Sequence, residues 1–307
     1  MIDENAQEFA KDYFYRAFEE RYYAPRDFIK NLRKQYLPFI EPLAKIYAGE
    51  PIFDIGCGRG EWLELMAEVG FSPFGVDLNE GMLQDCYEKK LPASQGDGIV
   101  FLRTLENESQ VIVSAFHVVE HLTFQDLQVV IQEALRVLKP GGLLIMEMPN
   151  IENLRVSSSN FYLDPTHLRP IPVVLLSFLT DVFGFERTKV LRLQENSDLL
   201  KSMQISLLAV LTGVSPDCAV VAQKKADAEC MQLFDEPFEK EYGITLETLA
   251  QNYDEGISRL EERVAQAEDV AQQYYTVVNS RSWRMTYPLR LIGKGIRCFV
   301  RKLQCID

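Results

Sequence analysis

The sequence predicts an α/β fold in which helices cover both faces of a doubly wound, mostly parallel sheet. Strand-like and helix-like runs alternate from residue 49 to residue 223, as this architecture requires. The run PIFDIGCGRG (51–60) places three glycines directly after an apolar strand, and LKPGG (138–142) separates a helix from the next strand. Such sheets bind ligands beyond the carboxyl ends of their strands, so we expect the functional residues there.

Each element of this domain follows from its own residues. The predicted strands are 51–55, 73–76, 111–115, 143–148, 185–193 and 218–223. A helix is predicted over 124–138, because Pro140 stops it and the glycines of LKPGG reverse the chain. Residues 1–48 are rich in aromatic residues and predict an N-terminal helical cap on the domain of residues 49–223.

Residues 224–280 follow a seven-residue period. Apolar side chains occupy ten consecutive a and d positions, and the positions between them are mostly polar or charged. The a positions are Ala250, Ile257, Val264, Ala271 and Val278, and the d positions are Leu246, Tyr253, Leu260, Ala267 and Tyr274. This seam predicts a coiled-coil helix that joins copies of the chain into a homo-oligomer. The alternative, favoured by Gly256, is one amphipathic helix packed back on the sheet domain.

Residues 281–307 combine basic and apolar side chains. From Ser280 to Asp307 there are seven basic residues and one acid. Apolar residues recur there at helical spacing: Leu289, Ile292, Ile296, Phe299, Val300 and Leu303. The pattern is typical of a helix lying in an anionic membrane surface, with Trp283 and Tyr287 as interface anchors. The alternative is a basic helix docked on this protein's own acidic body.

The composition of the chain indicates its kind of partner and its location in the cell. Its net charge of −13 argues against a nucleic-acid partner. The six cysteines form no C-x-x-C pair and predict reduced thiols in the cytosol. The acidic N-terminus MIDENAQEF predicts no signal peptide, and no apolar run is long enough to span a bilayer. We therefore expect a cytoplasmic protein, held peripherally at a membrane by its tail.

The glycine run predicts a nucleoside-binding loop. Asp54 precedes Gly56, Gly58 and Gly60, which let a ligand lie against the backbone, and Asp77 ends the next apolar run at a spacing suited to two ribose hydroxyls. The glycines do not follow the dinucleotide pattern G-x-G-x-x-G, and no phosphate-binding lysine follows them. The cofactor should therefore be a nucleoside without a pyrophosphate, and S-adenosylmethionine (SAM) fits.

Residues 50 to 223 resemble the class I SAM-dependent methyltransferases. The resemblance rests on DIGCGRG (54–60), Asp77, GDG (96–98), VIVSAFHVVEHL (111–122) and LKPGG, in that order. It implies a Rossmann-like, seven-stranded, mostly parallel sheet. It also implies that the glycine loop cradles the methionyl part, that Asp77 holds the ribose and that Asp97 lies near the adenine amine. The complete set of residues assigned to the cofactor is Asp54, Gly56, Gly58, Gly60, Asp77, Leu78, Asp97 and His117.

The methyl acceptor should bind after the fourth and fifth strands, where all three histidines lie. A helix beginning near His117 would place His117, Glu120 and His121 on one face. The turn-rich insertion 149–172 adds Asp164, His167 and Arg169. These residues, apart from His117, are the candidate catalytic set, although a histidine is more often structural. In one mechanism His167, oriented by Asp164, takes the proton of an acceptor hydroxyl.

In the other mechanism His117, Glu120, His121 and His167 hold a divalent metal that lowers the pKa of the hydroxyl. The x-x-Glu-His spacing and a later Thr-His resemble metal-dependent O-methyltransferases, such as the ubiquinone-pathway enzymes and the small-RNA terminal methyltransferases. That family has Glu at the position of His117. The difference shifts the preference from Mg²⁺ toward Mn²⁺, Fe²⁺ or Zn²⁺, which accept nitrogen ligands.

The chain as a whole resembles the bacterial O-antigen chain-terminating methyltransferases. The stretches that carry this likeness are FYRAFEERYYAPRDFIKNLRKQYLPFI, HVVEHL, NFYLDPTHLRPIP and the heptads followed by SRSWRMTYPLR. The resemblance implies methyl transfer to a terminal sugar hydroxyl of a lipid-linked polysaccharide, which caps chain growth. It also implies a tail on the inner face of the inner membrane that recruits a glycan polymerase. The alternatives are a small-molecule O- or N-methyltransferase with an oligomerising tail, and a scaffold that recruits glycan polymerases.

Overall fold

The computed structural model describes residues 24–196, 198–199 and 205–293. Within these residues, seven strands form one sheet in the order β3-β2-β1-β4-β5-β7-β6. The strands are β1 (Pro51–Ile55), β2 (Ser72–Asp77), β3 (Ala93–Gln95), β4 (Gln110–Phe116), β5 (Leu138–Pro149), β6 (Arg187–Leu193) and β7 (Asp217–Gln223). β1 to β5 pair in parallel, whereas β7 is antiparallel to both of its neighbours. The predicted fold class is confirmed.

Helices precede the sheet, connect its strands and follow it. Up to β7 they are α1 (Arg26–Arg33), α2 (Leu37–Ile46), α3 (Glu61–Val69), α4 (Gln84–Glu88), α5 (Gly98–Thr104), α6 (Phe124–Val137), α7 (Leu154–Ser158), α8 (Val173–Phe183) and α9 (Leu207–Thr212). After β7 come α10 (Ala228–Gln232), α11 (Asp235–Glu239), α12 (Leu246–Asn279) and α13 (Arg281–Met285). Short 3₁₀ turns lie at Lys34–Tyr36, Val119–His121 and Asn160–Leu163.

The central strands are buried on both faces, so their side chains alternate between two apolar clusters. Phe53, Val113 and Leu144 point to the cluster that contains α6 and α8. Their neighbours Ile52 and Ile112 point to the opposite cluster, which contains the buried residues of α2 and α3. The helical cap is thus part of the core.

The strand predictions were right in position, with two differences. β3 was not predicted, because a three-residue edge strand shows no apolar run. β5 begins at Leu138, five residues before the predicted start, so LKPGG lies inside the strand and not in a turn before it. Gly141 has a φ of +76° there, and the pairing with β4 shifts register between Gln110 and Ile112. The irregularity lets the chain leave α6 and enter β5 directly.

The segment that follows β7 packs on the sheet domain before the long helix begins. Phe234 is fully buried in the cluster beneath α2, and the rings of Phe39 and Phe238 lie 5.3 Å apart. This first compact unit continues to Leu249, so residues 224–249 belong with the sheet domain.

A second unit contains most of the 34-residue helix α12, from Ala250 onward. The predicted seam is exposed from Ile257 to Tyr274, where Val264 is 56 % exposed, and half-buried at its four other positions. Among the described helices none is both long and apolar enough to cross a membrane. The predicted tail residues from 294 to 307, and the first 23 residues of the predicted cap, lie outside the described residues.

Candidate active site

The glycine loop turns sharply between β1 and α3. Gly56, Gly58 and Gly60 have φ values of +67°, +52° and +75°, which favour glycine. A Cβ on Gly56 would lie 2.5 Å from Cγ2 of Val118, so the segment after β4 packs directly against this loop. A Cβ on Gly58 would meet only the Met82 methyl group, at 3.4 Å. Gly58 therefore leaves one side of its backbone open to a ligand.

Asp77 ties the end of β2 to the glycine loop. Its Oδ2 accepts a hydrogen bond from the Gly58 N–H and its Oδ1 accepts one from the Asn79 N–H, both at 2.9 Å. Burial raises the pKa of Asp77, while the two backbone donors act in the opposite direction. Each oxygen keeps a lone pair, so the carboxylate can still accept two ribose hydroxyls.

The remaining predicted cofactor residues surround this loop at different depths. Asp97 caps α5, because its Oδ1 accepts the N–H groups of Ile99 and Val100. Leu78, next to Asp77, is 72 % exposed. Asp54 is buried at the end of β1, where the Ser114 hydroxyl donates to it at 2.6 Å and burial raises its pKa to about 7. Its carboxyl thus joins β1 to β4 below the loop.

On the acceptor side, Glu120, His121 and His167 come together. One potential ligand atom from each of the three lies within 4.8 Å of the others. Glu120 is buried, and neither of its carboxylate oxygens accepts a hydrogen bond of good geometry from the described residues. The insertion that carries His167 is held in place by the Leu168 N–H, which donates to the Glu120 carbonyl at 2.9 Å.

The hydrogen bonds of the two histidines define their tautomers. The Nδ1 of His167 lies 2.5 Å from the Phe161 carbonyl, which can only accept, so Nδ1 carries the proton. The Thr166 hydroxyl donates to Asp164 at 2.6 Å and must therefore accept from Nδ1 of His121 at 3.0 Å. Both Nε2 atoms keep a free lone pair, and Nε2 of His167 lies 3.9 Å from Oε1 of Glu120.

One detail of the predicted site, the orientation of His167 by Asp164, is wrong. Asp164 does not contact the His167 ring; through Thr166 it orients His121. Thr166 was not assigned a role from the sequence, because a threonine in a turn-rich loop has no distinctive spacing. Burial lowers the pKa of His121, which keeps this imidazole neutral near pH 7.

No helix begins at His117, so the condition for placing His117, Glu120 and His121 on one helical face is not met. His117 has a φ of +55°, outside the helical region, and the 3₁₀ turn begins two residues later. The ring lies between two carboxylates, with Nδ1 3.3 Å from Oε1 of Glu120 and Nε2 3.3 Å from Oε1 of Glu147. His117 therefore contacts Glu120 but groups with Glu147 and Asp217, and not with His121 and His167.

A buried charge network supports His117. The Arg33 guanidinium and the Tyr36 hydroxyl, both from the N-terminal cap, contact the fully buried Glu147. Burial opposes ionisation of Glu147, but Arg33 and His117 outweigh it and hold its pKa at about 2. Burial likewise opposes the charged form of His117, yet Glu120 and Glu147 raise the pKa of its imidazole well above the ordinary value. A glutamate within the apolar run LLIMEM is the sequence signal that was missed.

Replacing Arg33 by methionine should lower the free energy of unfolding by about 3–5 kcal/mol, because it leaves Glu147 buried without its strongest partner. The matched control is Lys30→Met on the same helix, whose partners Glu64 and Glu68 are more exposed. That change should cost about 1 kcal/mol or less. Denaturant unfolding measures both values, and equal losses would contradict the assignment of Arg33 to the network.

Arg169 has hydrogen-bonding capacity that the described residues do not use. Its guanidinium lies 5.0 Å from the centre of the Phe124 ring, and its Nε and Nη2 are buried with no hydrogen-bond partner among the described residues. Because Arg169 follows His167 by two residues, these donors lie in the same loop as the histidine.

Glu120, His121 and His167 have the chemistry of a divalent-metal site. The set offers one carboxylate that lacks a donor and two imidazoles whose other nitrogens are already hydrogen-bonded, as is usual for metal-ligating histidines. A site with two nitrogen ligands favours Mn²⁺, Fe²⁺ or Zn²⁺ over Mg²⁺. The same three side chains can equally act without a metal, because His167 and Glu120 are both proton acceptors.

The fold and the site together define a SAM-dependent enzyme: a glycine loop is tied to the acid ending β2, at the ligand-binding edge of a seven-stranded sheet. A model of the methyltransferase domain matches residues 53–146. A solved SAM-dependent methyltransferase from Archaeoglobus fulgidus is 30 % identical to this chain, with a TM-score of 0.60. The match covers 69 % of this chain and all of that one. The chain belongs to the SAM-dependent methyltransferases.

Curated relatives agree with this family and differ in their acceptors. A probable SAM-dependent methyltransferase from Mycolicibacterium smegmatis is 30 % identical over 147 residues, which are 47 % of this chain and 55 % of the relative. A ubiquinone biosynthesis O-methyltransferase from Mesorhizobium japonicum is 29 % identical over 114 residues, 35 % of this chain and 44 % of the relative. The chain spans about half the length of these curated relatives.

Proposed function

We propose that this enzyme methylates a terminal sugar hydroxyl of a lipid-linked polysaccharide of the O-antigen type and so caps the growing chain. The observation that carries the choice of an oxygen acceptor is the pair formed by Glu120 and His167. The buried Glu120 carboxylate, which also lies 3.3 Å from Nδ1 of His117, is next to the His167 imidazole with its free Nε2. A hydroxyl must lose its proton when it attacks carbon, and this pair can take it.

The residues divide the reaction between them. SAM, when bound, supplies a methyl group on a positively charged sulfur. As the acceptor oxygen forms its bond to that methyl carbon and the carbon–sulfur bond breaks, the hydroxyl proton passes to Nε2 of His167. Glu120 stabilises the imidazolium that results, because an opposite charge lies 3.9 Å away. The Phe161 carbonyl and the Thr166 hydroxyl keep the two rings oriented.

The relatives support an oxygen acceptor. Ubiquinone biosynthesis O-methyltransferases from Mesorhizobium japonicum and Idiomarina loihiensis are 29 % and 28 % identical to the matched parts of this chain. Both of these enzymes are O-methyltransferases by name. If a divalent metal is bound, Glu120, His121 and His167 would hold it, and it would lower the pKa of the acceptor hydroxyl.

The C-terminal segment supports an acceptor at a membrane surface. Leu289 and Ile292 are 68 % and 61 % exposed, and the Arg290 guanidinium lies 3.8 Å from the centre of the Trp283 ring. Four more basic residues follow in the sequence, Lys294, Arg297, Arg301 and Lys302. We propose that residues 281–307 lie on the anionic inner face of the bacterial inner membrane. There the exposed seam of α12 joins copies of the chain, and a glycan polymerase is a candidate partner.

Deleting residues 281–307 should abolish co-sedimentation with anionic liposomes, because each basic residue near such a surface contributes about 1 kcal/mol. SAM affinity, measured by calorimetry, should stay unchanged.

In cells that lack the native protein, the full chain should restore a methylated terminal sugar and normal polysaccharide length. The truncated chain should give longer polymers. Mass spectrometry of the polysaccharide end and gel profiles measure these results. Ile292→Ser in the full chain, which preserves charge, should weaken liposome binding.

Each alternative gives a different outcome. A terminal sugar that is unmethylated with the full chain present contradicts polysaccharide capping and favours a small-molecule acceptor. Normal chain length with a Gly58→Val variant, which cannot bind SAM, would favour the scaffold. If the truncated chain still sediments with liposomes, residues 281–307 are not the segment that binds the membrane.

A further inference from the structure

A cavity of about 190 Å³ opens beside the acceptor cluster, at the carboxyl edge of the sheet. Because β7 is antiparallel, its first residue, Asp217, pairs with Pro149, the last residue of β5. Both residues line the cavity, together with Val156, Asn160, Phe161 and Pro216. The cavity thus occupies the edge where open sheets of this type bind their ligands.

The cavity lies between the two halves of the site. On one side, Phe161 contacts His167, with 4.5 Å between ring centres, and its carbonyl fixes the His167 tautomer. On the other side, ligand atoms of Asp217, His117 and Glu147 lie within 4.8 Å of one another. A molecule held in this cavity would therefore contact residues that also hold the proposed base.

The Asp217 carboxylate has hydrogen-bonding capacity that the described residues do not use. No hydrogen bond to it is formed among those residues, and burial raises the pKa of its carboxyl to about 6, while the nearby His117 and Arg33 act in the opposite direction. The two cations balance its charge, but its oxygen lone pairs stay without hydrogen-bond donors. A ligand that brings hydroxyl donors would satisfy it.

The walls and charges of the cavity select one kind of ligand. Pro149, Phe161 and Pro216 offer apolar surface, which suits the C–H face of a sugar ring, while two adjacent ring hydroxyls can donate to the two oxygens of Asp217. Asp217 is the one charged side chain among the six described residues that line the cavity, so it would repel a phosphate group placed there. The chemistry therefore favours a neutral sugar with adjacent hydroxyls.

A second cavity of about 380 Å³ continues along the same insertion. Asn160 lines both cavities, and Arg155, Ser158 and Ser159 contribute polar groups to the second. A terminal sugar in the inner cavity would thus have room beside it for the next sugars of a polymer.

We propose that the cavity beside Asp217 binds the terminal, unphosphorylated sugar ring of the acceptor, with Asp217 accepting hydrogen bonds from two adjacent hydroxyls. This assignment rests on the proposed function, and it makes Asp217 a residue that determines the specificity for the acceptor.

The test is steady-state kinetics of the full chain with purified polysaccharide as the acceptor. Asp217→Asn should raise the acceptor KM roughly tenfold or more, the effect of losing a charged hydrogen-bond partner, and change kcat less. The KM for SAM and the melting temperature should not fall. The matched control is Asp254→Asn, an exposed aspartate on α12, which should change nothing. In saturation-transfer NMR, a methyl hexopyranoside should bind the wild type better than the corresponding hexose 6-phosphate does.

The outcomes separate this inference from the proposed function. If the wild type methylates the polysaccharide and Asp217→Asn leaves the acceptor KM unchanged, the sugar binds elsewhere and the function stands. Tighter binding of the hexose phosphate would overturn the preference for a neutral ring. If the wild type methylates no glycan, the function fails and this inference fails with it.

Discussion

Replacing Glu120 by glutamine, or His167 by alanine, should lower methyl transfer by about 10²- to 10⁴-fold, the usual contribution of a positioned acid or base. Glu120 is buried beside His117, and glutamine keeps the shape of its side chain while it removes the negative charge and one acceptor oxygen. Neither residue contacts the glycine loop or Asp77. SAM affinity should therefore stay close to that of the wild type in both variants, and calorimetry checks it.

Two further variants sharpen this result. Thr166→Val removes the hydroxyl that links Asp164 to His121, so it should lower turnover less than His167→Ala does. Glu106→Gln, at an exposed position, is the control for loss of one acidic charge and should be neutral. Near-normal turnover in Glu120→Gln would show that the cluster of Glu120, His121 and His167 does not take part in methyl transfer.

Chelation distinguishes the two roles that the cluster can have. If activity is lost with a chelator and returns with added Mn²⁺, Fe²⁺ or Zn²⁺, the three side chains act as metal ligands. In that case His121→Ala should be as damaging as His167→Ala, because each removes one ligand. If chelation has no effect, His167 acts as the base and His121 should matter less.

Replacing Asp77 by alanine should weaken SAM binding by about 2–4 kcal/mol, roughly 30- to 1,000-fold. The substitution removes the acceptor for two ribose hydroxyls. It also frees the N–H groups of Gly58 and Asn79, which Asp77 holds in the geometry of the loop. The loss should therefore combine missing contacts with a less ordered loop. Titration with SAM measures the affinity.

Asp97→Ala is the natural comparison for Asp77. One oxygen of Asp97 already accepts the hydrogen bonds that cap α5. Asp97→Ala should therefore lower the free energy of unfolding by about 1 kcal/mol and weaken SAM binding less than Asp77→Ala does. Unchanged SAM affinity in Asp77→Ala would show that the ribose is held elsewhere and would overturn the assignment of the nucleoside pocket.

The sequence by itself determined the sheet, the glycine loop and the acid that ends β2. These features are local: alternation of apolar runs defines strands, and a positive φ favours glycine, as at Gly56 and Gly60. The position of Asp77 could be predicted from the apolar run that it ends. The acceptor side was predicted only as a region, because the three histidines mark the loops without giving their contacts.

Only the tertiary structure decided how those loops are used. His117 lies between Glu120 and Glu147, and the charge of Glu147 depends on Arg33, 114 residues away in the sequence. Asp217 lines the cavity beside Pro149 because β7 runs antiparallel and starts at the carboxyl end of β5. Neither relation has a local pattern. A carboxylate in a buried strand takes its role from the charge that folding brings to it, and sequence spacing contains no information about that charge.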